Sequence, residues 1–300
     1  MTIRRSDVLL IAAAAVWGVS FVIVKEALGE ASPLLLLGIR FTIAALVLAP
    51  FIDLRGGFSP AELRAGVLLT LLLASGFATQ AVGLQYTTPA RSAFIVAMSS
   101  VLAPVIAMVL LKHRTGWMVL LALVIAGAGI YFLTAPDAGG LNRGDLWTLL
   151  TAVVFGGHIV AVTQFSKRFD ARRLVWLQLP GTAAGTLIAA LFFEDLRFSG
   201  SLSLVIAVLF LAVMATAVAL VWQMRAQREM TAARASLLLC VEPVFAALTS
   251  WQFWGEEFTL SQAAGAGLIL AGMILAVIGE SQSELSDKAT KKNLPTTASD

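Results

Sequence analysis

Long apolar runs separated by short polar connectors make up almost the whole chain. Ten runs come close to the about 20 helical residues that cross a bilayer core of about 30 Å, and the connectors hold breakers such as Gly56, Gly57 and the stretch 199–201. The predicted spans are residues 7–27, 33–52, 64–85, 91–111, 117–134, 145–165, 174–193, 202–223, 233–253 and 261–279. This pattern predicts an all-α membrane protein with ten transmembrane helices.

The composition agrees with a chain that faces lipid. Hydrophobic residues make up 59% of the 300 positions and charged residues 13%, whereas soluble domains hold about 25% charged residues. The mean hydropathy is +0.88. The first apolar run follows Arg4 and Arg5 as in a signal peptide, but it continues unbroken through Val24 and is long enough to remain as the first span. Residues 280–300 are polar and charged, which predicts a disordered tail.

The basic residues predict the orientation. With the amino terminus in the cytoplasm, 16 Lys and Arg residues fall on the inner side, Arg40 falls within the second span, and four fall on the outer side: Lys25, Arg91, Arg143 and Arg197. Because cytoplasmic loops carry the excess of positive charge, both termini are predicted to be cytoplasmic in an inner-membrane protein. The same loops account for the sequence pI of about 9.3, so no nucleic-acid partner is predicted.

The second half of the chain repeats short motifs of the first. Residues 88–94, 104–107 and 17–18 recur at 231–237, 243–246 and 155–156. Each half, 1–139 and 140–279, then holds five predicted helices, and an odd number turns the second half over in the membrane. Such inverted repeats are common in secondary transporters, whose solute site lies between the halves near the bilayer midplane. The alternative is chance similarity between Ala- and Leu-rich helices.

Several further motifs occur in an order typical of one transporter family. They are Trp17-Gly18-Val19-Ser20-Phe21, Pro33 with Arg40, Gly144-Asp145-Leu146, Glu242-Pro243-Val244-Phe245-Ala246, Gly255-Glu256, and Gly265 with Gly272. Over residues 6–280 the chain resembles the EamA-type, ten-helix branch of the drug/metabolite transporter superfamily. The resemblance implies export of amino acids, metabolites or drugs, and the chain is most similar to exporters of aromatic amino acids. Lys112-His113 departs from the pattern, because the first repeat often has Gly-Glu there.

Polar side chains within the spans are the candidates for a solute site, since ionisable groups inside a membrane are costly. Glu242 could bind a substrate ammonium or carry a proton; it could also cap backbone groups freed by Pro243, or pair with Arg40. His158, at the repeat position of Ser20, could relay protons or be a satisfied core imidazole. The predicted substrate-binding set is Trp17, Ser20, Gln80, Ser99, Ser100, His158, Thr216 and Glu242.

The remaining candidates also have two interpretations each. Arg40 could hold a substrate carboxylate through a bidentate hydrogen bond or tether loops. Gln80 and Thr216 could hydrogen-bond a zwitterion or bridge helices, as could Ser99 and Ser100. Trp17 could line a cavity for aromatic groups or face lipid. The small multidrug branch of the same superfamily relies on a carboxylate in its first helix, but residues 11–16 hold none here, so that form of proton antiport is not supported. Facilitated diffusion and coupling through Glu242 or His158 both remain open.

Other protein classes fit the sequence less well. An intramembrane zinc protease needs His-Glu-x-x-His, but the two histidines are His113 and His158, and the single Cys240 allows no intrachain disulfide. No metal and no cofactor are predicted. The sequence therefore predicts a secondary transporter that exports neutral or aromatic amino acids and related metabolites, by alternating access around a cavity between helices one, three, four, six, eight and nine. Alternatives are an exporter of cationic or hydrophobic drugs, or a facilitative channel. A chain that holds both halves predicts a monomer.

Overall fold

The computed structural model describes residues 4–52, 57–111, 116–135, 140–229, 235 and 238–292. These residues are helical, apart from connectors and one isolated bridge between Ala31 and Phe198. The helices are α1 (Arg5–Glu30), α2 (Pro33–Leu48), α3 (Pro60–Leu84), α4 (Pro89–Ala97), α5 (Ser99–Leu111), α6 (Trp117–Leu133), α7 (Arg143–Phe165), α8 (Ala171–Phe193), α9 (Leu202–Ala212), α10 (Ala219–Arg228), α11 (Glu242–Thr249) and α12 (Leu260–Lys292). A π-helix (Val213–Val218) joins α9 to α10, and a second (Ser250–Trp254) follows α11.

Eight helical segments are long and apolar enough to cross a membrane. They are Arg5–Glu30, Pro33–Phe51, Pro60–Leu84, Pro89–Leu111, Arg143–Phe165, Ala171–Phe193, Leu202–Arg228 and Leu260–Gly279. The apolar helix α6 has 17 residues. The ninth predicted span, 233–253, contains α11, although most of its first part lies outside the described residues. The prediction of an all-α, multi-pass membrane protein is confirmed, and each of the ten predicted spans contains a described helix.

The last helix, α12, continues beyond the predicted tenth span, past Gly279 to Lys292. The disordered tail at residues 280–300 stays a prediction. Eight of the 13 residues at 280–292 are Glu, Lys, Gln, Leu or Ala, which are good helix formers, and extending an existing helix needs no new nucleus. Residues 293–300, the Lys112-His113 departure and the boundary at residues 136–139 lie outside the described residues, as does nearly all of the repeated motif 231–237.

Local signals explain where several helices begin. Pro33, Pro60 and Pro89 each open a helix at its first position, where the missing N–H costs nothing. The backbone N–H of Glu62 donates to Ser59 Oγ at 3.2 Å, and Glu62 in turn accepts from the Ser59 backbone. This reciprocal cap starts α3 at Pro60, earlier than the predicted residue 64.

Glycines allow α6 and α12 to pack with their backbones close together. A Cβ at Gly265 would lie 2.6 Å from the carbonyl oxygen of Gly129, and a Cβ at Gly272 would lie 2.9 Å from that of Ala122. Side chains at these positions would separate the helices, since real Cβ atoms essentially never approach so closely. The small residues thus serve packing between helices, as expected in membrane proteins.

Candidate solute-binding cavity

A cavity of about 120 Å³ lies in the middle of the helical bundle. Its walls come from α1, α2, α3, α4, α5, α7, α10, α11 and α12. These helices include the six predicted to surround a solute pathway, and they add α2 through Arg40 and α12 through Met273. Seven of the eight predicted site residues line the cavity: Trp17, Ser20, Gln80, Ser99, Ser100, His158 and Glu242.

Thr216 is the exception, because it does not line the cavity. It lies in the π-helix, where its hydroxyl donates to the carbonyl of Leu211 at 2.8 Å and accepts from Arg40 Nε at 2.7 Å. Instead of a substrate contact, the structure therefore gives Thr216 the role of positioning Arg40.

The π-helix also supplies a backbone acceptor beside the cavity. The carbonyl oxygen of Ala215 accepts from Trp17 Nε1 at 2.8 Å and from Arg40 Nη2 at 3.4 Å. π-helical turns disturb the regular hydrogen-bond ladder and occur frequently at functional sites. The π-helix thus holds the Trp17 indole of α1 and the Arg40 guanidinium of α2 through the same backbone carbonyl, that of Ala215.

Arg40 is buried, with 2% of its surface exposed. Its guanidinium carbon lies 4.9 Å from the ring centroid of Phe77 and 5.6 Å from that of Phe41. Among the residues that the structure describes, no carboxylate lies within ion-pair distance of it. Aromatic faces and neutral oxygens thus hold the guanidinium, and its charge is left available to an anion in the cavity.

Glu242 begins α11 and lines the same cavity. Both of its structural interpretations lack support in the described contacts. No ion pair joins it to Arg40, and the described contacts include no hydrogen bond of its side chain. Like the guanidinium of Arg40, its carboxyl group is therefore an ionisable group of the cavity wall without an ion-pair partner among the described residues.

His158 is held by a partner that sequence reasoning missed. Its Nε2 lies 2.8 Å from Gln178 Oε1, and Gln178 Nε2 donates to the carbonyl of Leu174 at 3.0 Å. Because the amide oxygen faces the ring, the imidazole carries a proton on Nε2. Gln178 lies on α8 and is 1% exposed. Its amide in an otherwise apolar span is the sequence feature that could have indicated a partner for His158.

A break between α4 and α5 brings two adjacent hydroxyls to the cavity. The chain turns at Met98, whose N–H donates to the carbonyl of Ile95 at 3.1 Å and whose carbonyl accepts from Val101 at 3.0 Å. Ser99 and Ser100 follow this turn and line the cavity. Pro104 lacks the N–H that would bond the Ser100 carbonyl in a regular helix, which keeps this region polar.

Gly18 lets α1 approach α11 beside the cavity. A Cβ at this position would lie 2.6 Å from the carbonyl oxygen of Glu242. Gly156, its counterpart in the predicted repeat, has a similar position on α7, where a Cβ would lie 3.3 Å from the carbonyl oxygen of Ser99. Both glycines thus bring a helix against a cavity-lining residue of α11 or α5.

A polar network closes one end of the bundle, on the side predicted to be external. Arg91, predicted to lie on the outer side at the start of the fourth span, is buried and forms an ion pair with the fully buried Asp145. Thr87 Oγ1 also donates to Asp145 at 2.9 Å, and Lys25 Nζ donates to the carbonyls of Leu84 at 2.6 Å and Thr87 at 2.9 Å. Burial is possible for this charge pair because both partners have several hydrogen bonds.

Helices of spanning length around an apolar cavity with a few polar groups define a multi-pass membrane transporter. The chain belongs to the EamA-like transporter family, whose model matches residues 4–135 and 142–278. It is 32% identical to an uncharacterized transporter of Archaeoglobus fulgidus, over 90% of this chain and 85% of that protein. It is 26% identical to the uncharacterized inner membrane transporter YedA of Escherichia coli, over 88% of each chain.

A solved crystal structure also resembles this fold. It shares 19% sequence identity and a TM-score of 0.67, and the match covers 92% of this chain and 98% of the other. At that identity the likeness supports the architecture alone. The family membership makes the chain a membrane transporter.

Proposed function

We propose that the chain exports small zwitterionic solutes, chiefly neutral and aromatic amino acids and related metabolites. One observation carries the proposal: Arg40 and Glu242 line one cavity, and no described ion pair joins them. A guanidinium binds a carboxylate in a planar, two-point contact, and a carboxylate binds an ammonium. The α-carboxylate and α-amino groups of an amino acid match these two charges.

The apolar part of the cavity accounts for the preference for neutral side chains. Trp17, Phe21, Phe77 and Phe155 all line it, and the rings of Phe77 and Phe155 meet edge to face with centroids 5.3 Å apart. Such walls favour aromatic and aliphatic groups. The cavity of about 120 Å³ is smaller than typical ligand pockets, which measure about 300–1,000 Å³. Binding an aromatic amino acid therefore requires the helices to move apart, as alternating access demands.

The packing of the helices supports an inverted repeat as the basis of alternating access. In an inverted repeat, spans one to five correspond to spans six to ten, so exchanging the halves should turn each helix contact into another contact that also exists. The contact of α3 with α7 becomes that of α10 with α1, and the contact of α5 with α7 becomes that of α11 with α1; all four are present. The contacts of α2 with α8 and of α6 with α12 join corresponding spans, so the exchange leaves each of them unchanged. The two segments matched by the family model also coincide closely with the proposed halves 1–139 and 140–279.

The cellular setting follows from the same reasoning. The asymmetry of basic residues supports cytoplasmic termini, and the name of YedA places that relative in an inner membrane. We place this chain there as well. Because one chain supplies both halves of the repeat, a monomer is the functional unit of this proposal.

The two alternatives predict different solutes and kinetics. Export of cationic drugs is disfavoured because the buried Arg40 would repel a cation in the same cavity. A facilitative channel would conduct without saturation, whereas a carrier saturates.

Uptake into proteoliposomes tests the proposal directly. The panel contains labelled Trp, Phe, Met, Thr and Lys, with and without a pH gradient. We expect saturable, mutually competitive uptake of the neutral amino acids and little uptake of Lys. If the pH gradient accelerates uptake, transport is coupled to protons, and Glu242 and His158 are the candidate carriers of the proton. If the uptake rate does not depend on the gradient, transport is facilitated diffusion. If no member of the panel is taken up, the amino-acid proposal is wrong.

A further inference from the structure

A second cavity, of about 570 Å³, lies at the ends of three helices. The first residue of α1, the start of α8 and the end of α10 all contribute to its wall. By the asymmetry of basic residues, this is the cytoplasmic side of the membrane. The cavity shares no lining residue with the central one, so it requires a separate explanation.

The wall of this cavity is strongly basic. Arg5, Arg172, Arg225 and Arg228 line it, against the two acids Asp170 and Glu229. The Asp170 carboxylate caps α8, where it accepts from the backbone N–H groups of Arg172 and Arg173 at 2.9 and 3.2 Å. Within the described part of the chain, Arg5, Arg225 and Arg228 form no ion pair.

The positive potential of this cavity comes from its side chains rather than from the helix starts. Arg5 and Arg172 lie in the first turns of α1 and α8, but each start already holds a carboxylate, because Asp7 lies in the first turn of α1 and Asp170 caps α8. Arg172 Nε also lies 3.9 Å from Asp170 Oδ1. The guanidinium groups of Arg5, Arg225 and Arg228 therefore form the site for a phosphate group.

The apolar part of the wall distinguishes a lipid from a soluble anion. Leu9 lies one turn after Arg5 on α1, and Trp222 lies one turn before Arg225 on α10. Each helix thus presents a basic residue beside an apolar one on the same face. Tryptophan is enriched at the membrane interface, and basic pockets between membrane helices on the cytoplasmic side bind lipid headgroups.

We propose that this cavity binds the phosphodiester headgroup of an anionic phospholipid from the cytoplasmic leaflet. The guanidinium groups of Arg5, Arg225 and Arg228 contact the phosphate, and Leu9 and Trp222 contact the start of the acyl chains. The bound lipid would bridge α1, α8 and α10, the first and third of which also line the central cavity.

Native mass spectrometry of the purified full chain with phosphatidylglycerol tests this site. The variant is Arg225→Gln with Arg228→Gln, and the matched control is Lys167→Gln with Arg168→Gln, two exposed basic residues in the connector before α8 that do not line the cavity. At about 1 kcal/mol for each basic residue, we expect the cavity variant to bind the lipid about 30-fold more weakly. The control variant should bind within about twofold of the wild type.

Three outcomes would overturn the proposal. If lipid binding is weakened equally in the cavity variant and the control variant, the effect comes from general surface charge and not from this cavity. Displacement of the lipid by inorganic phosphate or glycerol phosphate at similar concentrations would assign the cavity to a soluble anion. Equal affinity for phosphatidylcholine would exclude recognition of the anionic headgroup. Unfolding of each variant without added lipid is measured first, so that a misfolded variant is recognised.

Discussion

At the scale of single residues, the cavity is defined by two opposite charges that are kept apart. Arg40 is held by Thr216, by the Ala215 carbonyl and by aromatic rings rather than by a carboxylate. Glu242 sits in the same wall without a described ion pair. Buried charges are costly when unpaired, so their separation is best explained by a solute that pairs with both.

Replacing Arg40 by Gln should selectively weaken the binding of solutes that carry a carboxylate. Hydrogen bonds to charged groups contribute about 1.5–3 kcal/mol, so we expect the KM for phenylalanine to rise about 10- to 100-fold. Inhibition of residual uptake by phenethylamine, which lacks the carboxylate, should be retained or improved, because the neutral amide no longer repels the cation. The matched control is Arg143→Gln, since Arg143 stacks on Tyr86 away from the cavity. Equal losses for both compounds would contradict this assignment.

The complementary change, Glu242→Gln, should weaken the binding of solutes that carry an ammonium group. Inhibition by phenethylamine should be lost, whereas inhibition by 3-phenylpropionate, which lacks the amino group, should be retained or improved. The physical reason is that the neutral amide no longer attracts the cation but leaves Arg40 unchanged. Competition with labelled phenylalanine in proteoliposomes measures both effects. A variant that loses both analogues together would indicate a structural role for Glu242.

At the scale of helices, close backbone packing is the feature most sensitive to substitution. Gly265→Ala places a Cβ 2.6 Å from the Gly129 carbonyl, while a Cβ at Gly267, two residues further along α12, would meet nothing within 4 Å. Overpacking costs about 1–3 kcal/mol. We therefore expect Gly265→Ala to lower the free energy of unfolding in detergent by that amount, and Gly267→Ala to leave it unchanged or raise it by up to about 1 kcal/mol, because Ala favours a helix over Gly. Equal effects would contradict the packing of α6 on α12.

The ion pair of Arg91 and Asp145 joins α4 to α7 and should be a strong tie between helices. Removing one partner of a buried pair costs about 3–5 kcal/mol, because the other charge stays buried, whereas replacing both by apolar residues is often neutral. We expect Arg91→Met to destabilise by that amount and Arg91→Met with Asp145→Leu to recover most of the loss. Asp145 also accepts from the Asn142 N–H at 2.9 Å, so recovery is incomplete by about 1 kcal/mol. Additive losses would contradict the pairing.

At the scale of the whole molecule, the apolar runs were sufficient to predict the helices, because a membrane chain must satisfy its backbone hydrogen bonds within each span. Polar residues in those runs were sufficient to find most of the polar side chains in the cavity wall, since their cost makes them rare. The reciprocal cap of Ser59 and Glu62 was missed, although Ser followed by Glu three residues later is a sequence signature of a helix start. The predicted solute and mechanism remain proposals.

Other features depended on tertiary contacts that no local pattern specifies. The π-helix that exposes the Ala215 carbonyl lies within an ordinary apolar run, and Thr216 there contacts Arg40 instead of the cavity. Gln178 and Arg91 acquired their roles from partners 20 and 54 residues away. The extension of the last helix past Gly279 to Lys292 was also not predicted.

Counterflow of phenylalanine tests the central claim, which is a zwitterion carrier with alternating access. Proteoliposomes are loaded with unlabelled phenylalanine and diluted into a trace of the labelled compound at equal pH on both sides. The account predicts that labelled phenylalanine accumulates transiently above equilibrium, because a site that opens alternately exchanges one solute for another. Uptake that rises linearly with concentration and is unaffected by the internal load would contradict a carrier of amino acids.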